Sequence, residues 1–243
     1  MPSLLTPPRV RGIEYLDDPT MSAEIQRRSL ADVARANHLL GGSSAVIAEL
    51  VPALNRMKGR GGTREATLLD VGTGIGDIPA RAREVAAAHG VRLTTVGLDG
   101  SEALVAAARA RAGIAVRGCA TRLPFPDHSV EFVTCSQVVH HFDDRKAADV
   151  IRELDRVARG RVIISDIRRS WAAAAGIWMV SFPLGFHAVS RHDGVVSVMR
   201  GFTAPELRDL IHDVIGFHPV VCERRGFRIT ASWTPVWEGR RAA

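Results

Sequence analysis

The stretch LLDVGTGIGD, Leu68 to Asp77, constrains the fold of this chain more than any other. An apolar run ends in Asp70 and Val71, glycines follow at Gly72, Gly74 and Gly76, and IPARAREVAAA then reads as a helix from Ile78. The order is strand, tight glycine turn, helix. Glycine reaches positive φ without strain and has no side chain, so a ligand can lie against the backbone there. The helix that follows offers unpaired N–H groups and a partial positive charge. A nucleotide-type ligand at the carboxyl end of a strand is therefore expected. The bland alternative is a glycine turn that only lets helix and strand pack closely.

Spacing narrows the ligand. The pattern is GxGxG, and Asp77 stands where the dinucleotide fingerprint carries its last glycine. A carboxylate there repels a pyrophosphate and tolerates a cationic or zwitterionic ligand. The next strand, RLTTVGLD, ends in Asp99, at a suitable distance to accept hydrogen bonds from a ribose. With these residues in register, LLDVGTGIGD resembles motif I of the class I S-adenosylmethionine-dependent methyltransferases. VGLDGS, Val96 to Ser101, resembles the acidic motif that follows.

The resemblance covers about residues 67–233 and implies S-adenosylmethionine as cofactor. Gly72, Thr73, Gly74 and Gly76 would lie against its amino acid end. Asp70 and Asp77 would supply negative charge near the ammonium, although Asp70 serves equally well as buried support. Asp99 would accept from the ribose hydroxyls, with Leu98 and Gly100 edging the adenine slot. CATRLPFPDHSVEFVTC, Cys119 to Cys135, is similar to the family's adenine segment, but Cys119 occupies the usual aspartate position. A thiol is a weak donor and acceptor. Either the backbone around Ala120 and Thr121 holds the adenine amino group, or the cofactor binds more weakly. Ser136, at the end of the fourth strand, completes the expected cofactor set.

From Thr67 the pattern alternates strand and helix. Strands are expected at Thr67–Val71, Leu93–Leu98, Ile114–Arg117, Val130–Cys135 and Arg161–Asp166. Helices are expected at Asp77–Ala88, Ser101–Ala112 and about Arg145–Arg159. Short buried strands with helical crossovers indicate a parallel sheet covered on both faces. TAPE, Thr203 to Glu206, opens a further helix, and two strands follow, Phe217–Cys222 and Phe227–Trp233, joined through ERRG. The fold expected is α/β: a Rossmann-like, doubly wound, mostly parallel seven-stranded sheet with a C-terminal antiparallel hairpin, an N-terminal helical segment and a cap insertion. The domain reading is an N-terminal helical cap over residues 1–62, a methyltransferase domain over 63–236, and a substrate cap at 168–202 within it.

The N-terminal segment begins as a proline-bearing tail. A helix to Leu40, capped by Thr20 or Ser22, comes next, then a second from about Ser44 through Pro52, then KGRGGTRE, Lys58 to Glu65, as a flexible connection. The resemblance implies that this segment packs over the cofactor and helps shape the substrate pocket, with Arg28, Arg35 and Asn37 its polar residues of interest.

Two elements bear on chemistry. SQVVHHFDD, after the fourth strand, places His140 and His141 where side chains reach a ligand. Either imidazole can take a proton as a methyl group transfers, or both are structural. The crossover beyond Asp166 is far longer than usual and carries Trp171, Trp178, Met179, Phe182 and Phe186. It is too short and too interrupted to span a bilayer. Three uses are open: a cap over a hydrophobic substrate, a homodimer face, or peripheral membrane contact through residues 171–189. Arg168, Arg169 and Arg191 around it suit an acceptor that carries an oxygen anion, and His192 beside Asp193 has the form of an oriented base. RRS followed by RHDG is similar to bacterial small-molecule methyltransferases of the polyketide or quinone type.

Charge separates the function classes. The formal charge of +6 suits anionic partners, but aromatics at 5% supply no stacking platform for single-stranded nucleic acid. The place of a base-methylating Asn/Asp-Pro-Pro-aromatic motif is held by Ser136-Gln137-Val138-Val139. No nucleic acid partner is expected. A hydride-transferring dehydrogenase lacks its Tyr-x-x-x-Lys pair, since Tyr15 is the only tyrosine. The three cysteines, Cys119, Cys135 and Cys222, are scattered and odd in number, and no metal-ligand set is recognisable. A reducing, cytoplasmic setting is expected. The function expected is methyl transfer to a small hydrophobic, aromatic or polyketide-like acceptor, at oxygen first. Carbon methylation of a quinone or isoprenoid precursor and non-catalytic cofactor binding are the alternatives.

Overall fold

Five parallel strands form the centre of the molecule, and their carboxyl ends all lie along one edge. The structure is a computed structural model that describes residues 6–17, 20–39, 41–57 and 64–237. The strands are β1 (Arg64–Val71), β2 (Val91–Asp99), β3 (Ile114–Arg117), β4 (Val130–Ser136) and β5 (Ala158–Ile167). The antiparallel pair β6 (Val220–Arg224) and β7 (Arg228–Trp233) extends the sheet to seven strands in the order β3-β2-β1-β4-β5-β7-β6. β7 runs antiparallel to both β5 and β6. This is the expected sheet, with helices on both faces.

Side-chain alternation divides the core in two. Leu69, Val71, Val133, Cys135, Val162 and Ile164 point to one face with helix α5 (Asp144–Val157) and helix α8 (Ala204–Ile215). Leu68, Phe132 and Ile163 point to the other, against helix α2 (Gly42–Met57) and helix α3 (Asp77–Ala88). α2 therefore belongs to the layer covering the sheet, with Val46, Leu50, Ala53 and Leu54 buried there. Helix α1 (Ala23–Leu39) lies apart from it, packing on helix α7 (Ala188–Arg200) as well as α2. Ser22 holds the start of α1 by accepting from the Ile25 N–H at 3.4 Å. The connection expected around residues 58–63, like residues 1–5 of the tail, lies outside the described residues.

Three local readings shift. Helix α4 (Glu102–Ala108) stops four residues before the expected Ala112, because Ala112 is fully buried and its carbonyl accepts the Thr95 hydroxyl at 2.6 Å. The last hairpin turns at Arg225–Phe227, later than ERRG, with Gly226 and Phe227 both at positive φ. The long crossover is two helices, α6 (Trp171–Ser181) and α7, packed on each other before α8 returns to α5. α6 leaves Trp171, Trp178, Met179, Val180 and the following Phe182 exposed. No helix among the described residues is long and apolar enough to cross a membrane.

α7 is strapped to the N-terminal segment by three buried carboxylates. Asp32 of α1 accepts from the His187 N–H and the Ser190 hydroxyl, both at 2.8 Å, and pairs with Arg35. Asp193 accepts the Tyr15 and Leu16 N–H groups, each at 2.9 Å. Glu14 accepts from the Ser197 hydroxyl at 2.8 Å and pairs with Arg200 at 3.0 Å.

Candidate active site

The glycine turn is fixed by β2. The N–H groups of Gly72 and Thr73 both donate to the Leu98 carbonyl, at 2.8 and 3.0 Å. Gly72 has φ 73°, and a Cβ there would stand 2.2 Å from Val138 Cγ2. Gly74 has φ 56°, and a Cβ there would meet nothing within 4 Å, so its outer side is open. Gly76, at φ 79°, leads into α3, whose first residue is Asp77. Backbone N–H groups, an open glycine and a helix N-terminus meet at one point.

Asp99 closes this turn from β2. Its carboxylate accepts the Gly74 N–H at 3.0 Å and the Ser101 N–H at 2.9 Å, one on each oxygen. Each oxygen keeps a further lone pair, which fits the role of a hydroxyl acceptor. Gly100 stands next to Gly118, with 3.8 Å between its would-be Cβ and the Gly118 carbonyl, and Gly118 donates to the Asp99 carbonyl at 3.0 Å. This places two glycines, Gly100 and Gly118, at one edge beside Asp99.

Asp70 faces inward. It is buried, its Oδ1 accepts the Thr134 hydroxyl at 2.7 Å, and its Oδ2 has no partner among the described residues. Burial pushes its pKa up to about 7, and repulsion from Asp77 and Asp99 adds to this. Cys119 is exposed, its sulfur 3.1 Å from the Thr121 hydroxyl, and hydrogen bonding from Thr121 lowers the thiol pKa. Ala120 packs against the main core.

The carboxyl ends of β4 and β5 carry the second half of the site. Ser136 is buried with its hydroxyl unpartnered among the described residues. Gln137, at φ 58°, donates its N–H to the Ser165 carbonyl at 2.7 Å and turns the chain into the short 3-10 helix Val139–His141. This turn delivers His140 onto Asp166. The imidazole Nδ1 lies 2.5 Å from Asp166 Oδ1, and the His140 backbone N–H donates to Oδ2 at 3.1 Å. A carboxylate only accepts, so Nδ1 carries a proton, and in the neutral ring Nε2 holds the lone pair. Nε2 is buried and has no protein partner among the described residues. Burial opposes ionisation of Asp166, but the facing His140 and the Ile167 N–H outweigh it and keep its pKa low.

The other two candidate histidines lie in different surroundings. His141 stacks at a tilt on His140, with ring centres 4.3 Å apart. Burial, then His140, pushes its pKa down to about 3. Its Nδ1 is 3.8 Å from Glu14 and 3.4 Å from Arg200, which supplies the positive charge among these groups. His192 hydrogen-bonds Asp193 at 2.9 Å and stacks on Tyr15 at 4.2 Å. It thereby joins the N-terminal strap, and no hydrogen bond among the described residues links it to His140 or the glycine turn. The expected arginines also have protein partners: Arg168 pairs with Glu223 at 2.6 Å, Arg169 with Glu206 at 2.5 Å, and Arg191 bonds Ser181 at 2.9 Å. Asp166, a strand-end acid expected to face the pocket, is the partner of His140. The sequence reading missed Glu14, which reaches His141 from far along the chain and carries no local signal.

With this geometry in view, residues 69–164 match the family model described as a methyltransferase domain. A 104-residue stretch is 36% identical to the demethylmenaquinone methyltransferase of Thermotoga maritima, covering 41% of this chain and 43% of that protein. A 52-residue stretch is 42% identical to an uncharacterized methyltransferase, YcgJ, of Bacillus subtilis, covering 21% of this chain and 20% of that one. The chain thus spans less than half the length of these relatives. Among solved structures, magnesium protoporphyrin IX methyltransferase from Synechocystis PCC 6803, with bound S-adenosylhomocysteine, superposes with a TM-score of 0.55 at 16% identity over 91% of both chains. At that identity the likeness speaks for the fold.

Proposed function

We propose that this chain is an S-adenosylmethionine-dependent methyltransferase acting on a small organic acceptor, with transfer to an acceptor oxygen. The observation that carries the reading is the pairing of an open glycine turn, closed by Asp99, with a buried His140–Asp166 dyad whose Nε2 has no partner among the described residues. When bound, S-adenosylmethionine supplies an electrophilic methyl group, and the C–S bond electrons return to sulfur as the acceptor attacks.

The protein residues handle position and proton. Gly72, Gly74 and the N-terminus of α3 hold the amino acid end, and Asp99 takes the ribose hydroxyls. Asp166 fixes the ring of His140 so that Nε2 is the basic atom. An acceptor hydroxyl hydrogen-bonded to Nε2 passes its proton there as oxygen attacks the methyl carbon. Alignment of oxygen and carbon is the larger contribution. A second reading, methylation at carbon of a quinone-type acceptor, is favoured by the resemblance to the demethylmenaquinone methyltransferase. It uses the same dyad on a C–H or enol proton.

Titration calorimetry with S-adenosylhomocysteine and NAD tests the cofactor. The sulfur compound binds wild type, and Asp99→Asn weakens it by about tenfold or more through loss of charge-assisted bonds. Binding of NAD instead, or of neither, overturns the reading. A labelled-methyl screen over phenols and quinone precursors then separates oxygen from carbon.

A further inference from the structure

Arg228, the first residue of β7, carries two buried side-chain nitrogens that lack an acceptor among the described residues. The residue is 4% exposed. Its Nη2 donates to Asn37 Oδ1 of α1 at 3.2 Å, while Nε and Nη1 meet no acceptor among the described residues. Burial lowers its pKa to about 10, so it remains a cation at neutral pH. A buried guanidinium whose one acceptor is neutral is a costly arrangement. The carboxylate that acts on it, Asp166, is already committed to His140 and Ile167.

Strand register places this cation at the acceptor end of the site. Arg228 pairs with Ile167, Thr230 with Ser165, and Ser165 with Ser136. Paired residues in a sheet share a face, so Arg228, Ser165 and Ser136 line one face across β7, β5 and β4. The Ser165 and Ser136 hydroxyls are also buried without partners among the described residues. His140 Nε2 is likewise unpartnered among the described residues and stands at the carboxyl end of β5, where its partner Asp166, between Ser165 and Ile167, points to the other face of the sheet. Native proteins leave few such atoms, and each calls for a physical cause. Here they share one: all are groups that bind an oxygen-rich molecule. Arg169 and Arg191 have acceptors of their own, and Arg168, whose Nε is also unpartnered among the described residues, is neutralised by Glu223.

We propose that Arg228 is the specificity-determining residue for the methyl acceptor, binding a carboxylate-type oxyanion on it. Nη2 retains a second N–H, so Nη2 with either Nε or Nη1 offers a forked pair for two oxygens. Ser165 and Ser136 donate their hydroxyls to the same group or its neighbour. The acceptor is thus an anionic organic molecule, held at one end by Arg228 and presented by its nucleophile to His140. This assignment rests on the methyltransferase reading above.

The probe pair is 2-naphthoate and the isosteric 2-naphthamide, titrated into the full chain with and without saturating S-adenosylhomocysteine. Wild type is expected to bind the carboxylate at least about tenfold more tightly than the amide, the scale of a charged hydrogen bond. Arg228→Met removes that preference, Arg228→Lys keeps part of it, and both bind S-adenosylhomocysteine as wild type does. Equal binding of the two probes by wild type overturns the proposal, as does a preference that survives Arg228→Met. Weakened S-adenosylhomocysteine binding with the carboxylate preference intact would put the cofactor's own carboxylate on Arg228, which also overturns it. Should Arg228→Met fail to fold, an undiminished preference in Arg228→Lys counts against the forked pair. Failure of the methyltransferase reading is seen separately, as absence of S-adenosylhomocysteine binding to wild type before any probe is added.

Discussion

Between Leu68 and Gly118 the site is made of backbone turns at the ends of neighbouring strands. Around Asp166 it is made of side chains drawn from places as distant as Glu14 and Arg228. In the first region the Gly72 and Thr73 N–H groups donate to the Leu98 carbonyl and the Gly74 N–H to the Asp99 carboxylate, and Asp70 Oδ2 and Thr73 Oγ1 are the buried atoms without partners among the described residues. In the second, His140 Nε2, the Ser136 and Ser165 hydroxyls and two Arg228 nitrogens are without them. A turn held by main-chain N–H groups can hold a constant ligand. A region with open valences is shaped for whatever molecule completes it. On the proposed function, the two halves correspond to an unvarying cofactor and a particular acceptor.

Gly72→Ala strikes the first half hardest. Its Cβ would lie 2.2 Å from Val138 and the residue sits at φ 73°. Strain of about 3 kcal/mol is expected, with S-adenosylhomocysteine affinity down by about a hundredfold or more. Calorimetry and thermal unfolding check it, and near-normal binding would show that the turn tolerates movement.

Asp70 gives the same half a pH signature. An acid raised from 3.8 to about 7 holds its proton in the folded state where the unfolded chain has lost it. Stability of the ligand-free protein is therefore highest below this window. It falls as pH rises through it, by a few kcal/mol on the order of 1.4 per pH unit. Denaturant unfolding from pH 4 to 8 measures the slope. Asp70→Asn is expected to flatten it, and an unchanged slope would assign the effect to another group.

In the acceptor half, Asp166→Asn is expected to lower kcat by about a hundredfold while leaving S-adenosylhomocysteine affinity unchanged. The acceptor found in the labelled-methyl screen serves as substrate. A fall in cofactor affinity as large as the fall in kcat would mean that the two halves are not separable.

The smallest effect is at the frame beneath both. Glu49 of α2 accepts from Thr230 at 2.7 Å and Ser232 at 2.9 Å and pairs with Arg224, so it pins α2 to the hairpin. Burial opposes its ionisation, yet these bonds keep its pKa below the ordinary value. Glu49→Gln is expected to cost about 2 kcal/mol in unfolding free energy. The contribution of Glu49 is present above its unfolded pKa and is lost as pH falls through the lower, folded one. Loss of cofactor binding in this variant, rather than of stability, would contradict a purely structural role.

Much of the fold was legible in order. The 3.6-to-2 change of period at Thr67, the glycine stops and the TAPE cap each act over a few residues, so sequence alone shows them. Thr203 and Glu206 do form the reciprocal cap. The end of α4 was not legible, because burial of Ala112 against β2 decides it. Of the site, the glycine turn, Asp99 and His140 were marked by motif and strand end. Asp193 was legible as a partner of His192 but not as the anchor of Tyr15 and Leu16. Arg228 carried no mark at all, since an arginine opening a strand is ordinary until its neighbours are known.

The sequence by itself therefore determined the alternation of strand and helix, the ligand-bearing turn and the acid that closes it. Those depend on φ freedom, period and short-range hydrogen bonds. Only the tertiary structure decided that His140 is locked by Asp166, that His192 belongs to the strap, and that Arg228 is buried at the start of β7 with donors unpartnered among the described residues. Those depend on register between strands far apart in the chain and on desolvation, which no local pattern encodes.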